Sequence, residues 1–275
     1  MPTVPRLNHL LRMGNLVGDK IHSSAIARLY VQFQLQHRCE LYMYDHPPNP
    51  LVPIYTSPDL IEQFTSRKWP PWKNKKNNLG TIVGGDWDKT EPKLREGYGT
   101  MYDLFRGNTF TDSTFYQALH DHFIDGIEWT ETEFVRECFS LADDGIPNWK
   151  GYDSRQEILR HCKSIDELYD NIRNNGYKSQ AELQNTSPYR VLNEIGVDID
   201  RNGKLLFVTS RHRLAIAKIL NLDKIPVCVY VRHKNWMDKR KSLIESGTES
   251  DHPDLNNTTN YRSMLSYIFD TASPS

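Results

Sequence analysis

The chain's hydrophobic pattern predicts an α+β fold, a small sheet with flanking helices, and three stretches carry that expectation. Asn202-Gly203 stands between the β-rich runs 197–199 and 205–208, a strong short-range signal for a hairpin. The run IPVCVYVRH, residues 225–233, is almost continuously β-branched, as expected of a strand buried on both faces. Between residues 113 and 184 apolar positions recur at helical intervals and cap signals repeat, so a large helical block interrupts the strands.

The elements follow in order. Residues 1–50 form an N-terminal helical extension, with Ile26, Leu29, Tyr30 and Phe33 at helical spacing and Arg12, Lys20, Arg28 and Arg38 along it. The sequence DHPPNP ends it, because paired prolines cannot continue a helix. Val52, Ile54 and Tyr55 predict a short strand, and Ser57-Pro58 predicts the capped start of a short helix. A basic loop, residues 67–80, leads to a strand at 81–83 that Gly84-Gly85 breaks. After an irregular stretch, residues 89–112, the helical block opens at Asp112 or Ser113. It carries a capping box at Thr130 and Glu133, a stop near Gly145, two further helices ending at Gly176, and a last turn in SQAELQ. The hairpin comes next, then a helix opened by Ser210 with Leu214, Ile216, Ala217 and Leu220 inward, then the buried strand. Beyond Trp236 the chain turns polar, and residues 237–275 read as a loose linker followed by a docking helix in YRSMLSYIF. The main domain is therefore residues 51–236, with the helical insertion at about 89–184.

Composition excludes several function classes. The 275 residues carry 34 Lys plus Arg against 35 Asp plus Glu, a net charge of -1, so the whole chain makes no electrostatic case for non-specific nucleic-acid binding. Cys39, Cys138, Cys162 and Cys228 are widely spaced with no CxxC pair, which argues against zinc thiolates and a disulfide scaffold and for reduced, buried thiols in a cytoplasmic protein. No apolar run approaches the ~20 residues of a membrane helix, and the N-terminus lacks the apolar core of a secretory signal.

The strand–turn–helix around Ser210 is the first candidate site. The free N–H groups and positive dipole end of a helix start form an anion site. Arg211 and Arg213 add forked donors that match two phosphate oxygens, and His212 can donate or act as acid or base. The second candidate is Gly84-Gly85-Asp86-Trp87-Asp88. Two carboxylates on a glycine turn suit Mg²⁺ or a base toward an attacking hydroxyl, and Asp86 and Asp88 are the expected metal and catalytic residues. His120 and His122, at i and i+2, lie on different faces of a helix and make poor joint ligands. Trp69, Trp72 and the lysines of residues 68–76 form a basic aromatic loop of the kind that touches single strands.

From Val197 to Val231 the chain resembles the signature region of the ParB/sulfiredoxin superfamily, its ParB-like N-terminal domain, and a ParB-like family of archaea and their viruses in particular. The resembling parts are the hairpin, the turn Ser210-Arg211-His212-Arg213, the helix from Leu214 to Lys218 and the strand Ile225-Pro226-Val227. LVPIYTSPDLIEQF resembles that family's opening strand and short helix. The resemblance implies a ParB/sulfiredoxin-like small mixed sheet with flanking helices, a large helical insertion and an N-terminal helical extension. It also implies a phosphate-handling turn for ATP or CTP with Mg²⁺, formed by Ser210, Arg211, His212 and Arg213. His212 joins the expected catalytic residues by its chemistry, and Thr209, with Arg232 and His233 just past the last core strand near the sheet's end, is expected at the pocket. The family usually has glycine where this chain has Ser210, whose hydroxyl can cap the helix or touch phosphate. No cysteine lies in the turn, which disfavours sulfiredoxin chemistry. The expectation is a nucleotide- or phosphate-binding protein, a phosphotransferase or nucleotide hydrolase acting on a small molecule. The alternatives are a DNA-associated module or nuclease, which the missing helix-turn-helix disfavours, and an inert scaffold.

Overall fold

The computed structural model describes residues 20–67, 70–89 and 109–258. The protein is α+β, with seven α-helices and a six-stranded mixed sheet among these residues. Helix α1 (Lys20–Arg38) buries Val31 and Leu35 against Leu79, Val208, Cys228 and Tyr230 on one face of the sheet. Strand β1 (Ile54–Thr56) is an edge strand, antiparallel to β6 (Ile225–His233). Ser57 Oγ accepts the Asp59 N–H as a cap should, but only a single 3₁₀ turn, Pro58–Leu60, follows. The fully buried Ile61 then draws the chain into β2 (Gln63–Phe64), parallel to β5 (Leu205–Thr209), so sheet pairing overrides the short helix expected there.

A four-residue helix, α2 (Lys75–Asn78), precedes β3 (Thr81–Val83), which runs parallel to the end of β6. The insertion packs α3 (Thr114–Phe123), α4 (Glu133–Asp143) and α5 (Arg155–Asn175) over the other face, where Phe115, Phe134, Trp149, Ile158 and Ile165 share a core with the sheet. Ser113 caps α3 through the Tyr116 N–H. The cap of α4 is Thr132 rather than Thr130, because a 3₁₀ turn at Trp129–Glu131 shifts the start. The two helices expected across residues 155–175 are one: Ser164, the second start signal, donates back to the His161 carbonyl at 2.6 Å instead of capping a new helix. Gly176 (φ 74°) ends it, and residues 180–184 are a turn rather than a helix.

Strands β4 (Ile195–Ile199) and β5 (Leu205–Thr209) form the expected hairpin. Asp200 Oδ1 accepts the N–H groups of Asn202 and Lys204 at 2.8 and 2.7 Å, and Gly203 takes φ 99° against the Trp236 ring. Helix α6 (Arg211–Ile219) follows β5, then β6, all nine of whose residues are buried. The strand order is β1–β6–β4–β5–β2, with β3 also on β6.

The polar stretch after Trp236 is not a loose linker throughout. Helix α7 (Lys234–Ser246) carries Arg240, and the following segment buries Asp254 completely. Asp254 accepts from Arg232 Nη2 at 2.6 Å and from Trp236 Nε1 at 2.9 Å, with Arg240 Nε at 3.4 Å. A buried carboxylate needs such partners, and they fasten the segment to the end of β6. The terminal helix expected at 261–269, residues 1–19 and most of residues 89–112 lie outside the described residues. No described helix is long and apolar enough to cross a membrane.

Candidate functional site

Ser210 ends β5 in the left-handed region, φ 74° and ψ 44°, the conformation that glycine adopts without steric cost. Its side chain makes no capping bond to α6, contrary to expectation. The hydroxyl instead accepts from Arg213 Nη2 at 2.9 Å and donates to the Glu194 carbonyl at 3.4 Å. Arg213 Nη2 also donates to the Asn193 carbonyl. The guanidinium therefore lies folded over the start of its own helix, against the residues that lead into β4.

A cavity of about 450 Å³ opens beside this turn. Ser210 and Arg213 line it from α6, Lys75 from α2, and Tyr177 and Lys178 from the loop after α5. Gly176 directs that loop inward, its positive φ turning the chain sharply off the helix end. Leu168, Ile172 and Leu183 supply an apolar wall. Three cations and no carboxylate stand among the lining residues. Burial pushes the Lys75 ammonium below its ordinary pKa, and the charge of Arg213 adds to that depression. Glu194 lies behind this wall, its side chain 2 % exposed. Its Oε1 accepts the Gln180 N–H at 2.6 Å, while Oε2 stands 4.0 Å from Arg213 Nη1 with no hydrogen bond. Burial raises its pKa.

The four-residue turn splits between two surroundings. Ser210 and Arg213 face the cavity, whereas Arg211 and His212 face the helical insertion. The Arg211 guanidinium sits 5.8 Å from the Phe115 ring centre. His212 stacks near Trp149, meets Phe115 edge-on at 5.2 Å, and has its Nε2 3.1 Å from His161 Nε2. Burial, then the neighbouring His161, hold His212 well below the usual imidazole pKa. The ring packs and hydrogen-bonds at the α5–α6 contact, away from the residues that line the cavity.

The Asp86–Asp88 turn lies at the other end of the sheet. Val83 pairs with His233 and Ile199 with Leu205, whereas Thr209 pairs with Gly196 at the opposite end of the hairpin. The four residue steps of β5 alone separate the two ends by about 13 Å. Arg201, at the hairpin tip, holds both carboxylates. Its Nη2 donates to Asp88 Oδ1 at 2.6 Å, to Asp86 Oδ1 at 2.8 Å and to the Gly85 carbonyl at 2.8 Å, and its Nε donates to Asp88 Oδ2 at 2.9 Å. Burial pushes the Asp88 carboxyl up, but the Arg201 hydrogen bonds outweigh it and hold the pKa at about 2. A Mg²⁺ ion would have to displace this guanidinium, so the donor set does not fit the metal. The expectation that Asp86 and Asp88 serve the phosphate turn is corrected by strand order. His233 completes the clamp: its Nδ1 accepts the Asn235 N–H at 3.0 Å, so Nε2 carries the proton and donates to the Gly85 carbonyl at 2.8 Å. Arg232 is committed to Asp254, and Thr209 packs against Gly196, so neither lines the cavity.

His120 and His122 diverge as their spacing requires. His120 Nδ1 is 3.3 Å from Asp125, and His122 Nε2 is 3.3 Å from Asp166. Donor atoms of His120, Asp121 and Asp125 lie within 4.8 Å of one another at the exposed end of α3. The four cysteines are all buried, and burial raises each thiol's pKa, so none is a poised nucleophile. Lys75, Tyr177 and Lys178 are cavity residues that sequence reasoning missed. Lys75 lay in the recognised basic loop, and Tyr177 and Lys178 follow the recognised helix stop at Gly176, but nothing in their spacing joins them to Arg213. No protein-family model, curated protein or solved structure matches the chain.

Proposed function

We propose that the protein binds a phosphorylated small molecule of the nucleotide class, with its phosphates at the start of α6, as the ParB/sulfiredoxin-like turn leads one to expect. One observation carries this reading: Lys75, Lys178 and Arg213 line a cavity that has no carboxylate in its wall and opens at a helix N-terminus. Three cations brought together in a partly enclosed space repel one another, and an anion relieves that repulsion. The first N–H groups of α6 add donors with no partner inside the helix. Arg213 presents a planar fork to two phosphate oxygens, whereas the lysines act as mobile point charges. Leu168, Ile172 and Leu183 offer a flat ring an apolar surface. The volume of about 450 Å³ is that of a small-molecule site. The reading is one of binding: Asp86 and Asp88 take no part in it, and no step runs through a metal at their turn.

Thermal unfolding with ATP, CTP and pyrophosphate, each with and without Mg²⁺, tests it. A bound ligand at 100-fold excess over its Kd stabilises by about 2.7 kcal/mol. At least one of the three should therefore raise the midpoint by several degrees. Lys178→Ala, at an exposed position, should reduce that rise without lowering the midpoint of the free protein. No rise with any of the three overturns the proposal.

A further inference from the structure

The free edge of the sheet borders a second cavity, of about 660 Å³. All of β1 lines one side of it, and residues between Ser250 and Asn257 line the other. Strand β1 pairs only with β6, so its outer edge has no strand partner among the described residues. Val52, Tyr55 and Leu60 all belong to the wall and are 49–59 % exposed. Exposed apolar side chains are ordinary when scattered, but a cluster of them with a polar rim marks an interaction surface. Asp223, Lys224 and Asp251 in the lining are of mixed sign and give no preference for a small ion. The chain itself leads to this place. Asn257 lines the cavity and is fastened there: its Nδ2 donates to the Asn49 carbonyl at 3.2 Å, its Oδ1 accepts the Asn49 N–H at 2.9 Å, and its carbonyl accepts from Arg240 Nη2 at 2.6 Å. The described residues end one position later, at residue 258.

The sequence that continues from that point carries one apolar stripe. Tyr261, Met264, Leu265, Ile268 and Phe269 stand at i, i+3, i+4, i+7 and i+8, the spacing of one helix face. A helix this short is marginal in water and draws its stability from a surface that buries such a stripe. Only residues 258–260 separate Asn257 from Tyr261, and they span at most about 11 Å. So short a tether holds the stripe beside the cavity at an effective concentration in the millimolar range, which a free partner would have to exceed. We propose that the apolar stripe of residues 261–269 docks in the cavity beside β1, on Val52, Tyr55 and Leu60. The docked segment covers the outer edge of the sheet and closes β1 to pairing with a strand of another chain.

Amide hydrogen exchange of the full chain tests the contact from both sides. The comparison uses wild type, a stripe variant carrying Leu265→Ser and Ile268→Ser, and a groove variant carrying Tyr55→Ser and Leu60→Ser. In wild type, residues 261–269 should exchange about tenfold or more slower than an unprotected chain of the same sequence, at every protein concentration. The groove variant should lose that protection, and the stripe variant should lose protection over residues 52–60, while β6 exchanges as in wild type in both. Tyr55 and Leu60 are half exposed, so the groove variant keeps its fold. If β6 nevertheless exchanges faster in it, the stripe variant alone decides the question. Residues 261–269 that exchange at the unprotected rate in wild type overturn the proposal. Unchanged exchange over residues 52–60 in the stripe variant does so too, as does protection of 261–269 that survives in a groove variant with β6 intact. Protection over residues 52–60 that rises with protein concentration assigns the groove to a second copy of the chain and likewise overturns it.

Discussion

At φ 74° Ser210 holds a backbone conformation that costs a non-glycine residue about 1 kcal/mol or more. Two bonds of its hydroxyl, from Arg213 and to the Glu194 carbonyl, offset that cost and fix the guanidinium at the cavity edge. The chain therefore keeps the sharp turn that glycine would make and adds a tether for Arg213. Substitution separates the two contributions. Ser210→Ala retains the strain and loses the hydroxyl, and should cost about 1–2 kcal/mol. Ser210→Gly loses the hydroxyl but relieves the strain, and should stay within about 0.5 kcal/mol of wild type. Denaturant midpoints of the two variants provide the comparison, and a glycine variant less stable than the alanine variant would contradict it. Position 210 was legible in the sequence as a glycine-type position. That its side chain would serve Arg213 rather than cap α6 was not, because a cap requires an extended backbone there and the left-handed turn forbids it.

Local signals were legible at the scale of the element. Asn202-Gly203, the cap at Ser113, the stops at Gly145 and Gly176, and the buried strand Ile225–His233 each stand as read, because each depends on residues within a few positions. Signals overridden by packing were not legible: burial of Ile61 turned a predicted helix into a strand entry, and Ser164 became an interior residue of α5. The contact between α5 and α6 carries its own pH dependence. His161 and His212 meet through their Nε2 atoms at 3.1 Å, so one must donate and the other accept, and a second proton breaks the pair. Burial, and then Lys150, lower the His161 pKa from the ordinary 6.5 to about 4. Arg211 and Arg213 also bear on His212, and Asp166 lies one turn along α5. The unfolded chain thus binds more protons than the folded one between these values. Stability is full above pH ~6.5 and is lost as pH falls toward 4, by roughly 1–2 kcal/mol after solvent screening of the half-exposed His161. Urea denaturation across pH 4–7 should show this slope, and His161→Phe should flatten it. An unchanged slope in that variant would remove the pair from the account.

For the whole molecule, a net charge of -1 hides a strongly uneven distribution. The acidic turn at Asp86 and Asp88 is paired with Arg201 and Lys89 at one end of the sheet, and the cationic wall lies at the other. Neither the separation nor the wall was readable from sequence. The separation depends on β3 running parallel to β6 while β5 runs antiparallel to β4, and the wall joins Lys75, Lys178 and Arg213, which span 138 residue steps of sequence. The turn that the sequence did single out is half of the site, and tertiary packing supplies the rest. The insertion accordingly belongs to the site, since the end of α5 and the loop after it form one side of the cavity. A crystal structure with pyrophosphate or CTP bound tests the central claim most directly. The account predicts phosphate between the start of α6, Arg213, Lys75 and Lys178, with Asp86 and Asp88 still on Arg201. Phosphate bound at the Asp86–Asp88 turn, with Arg201 displaced and the cavity holding no ligand, would contradict it.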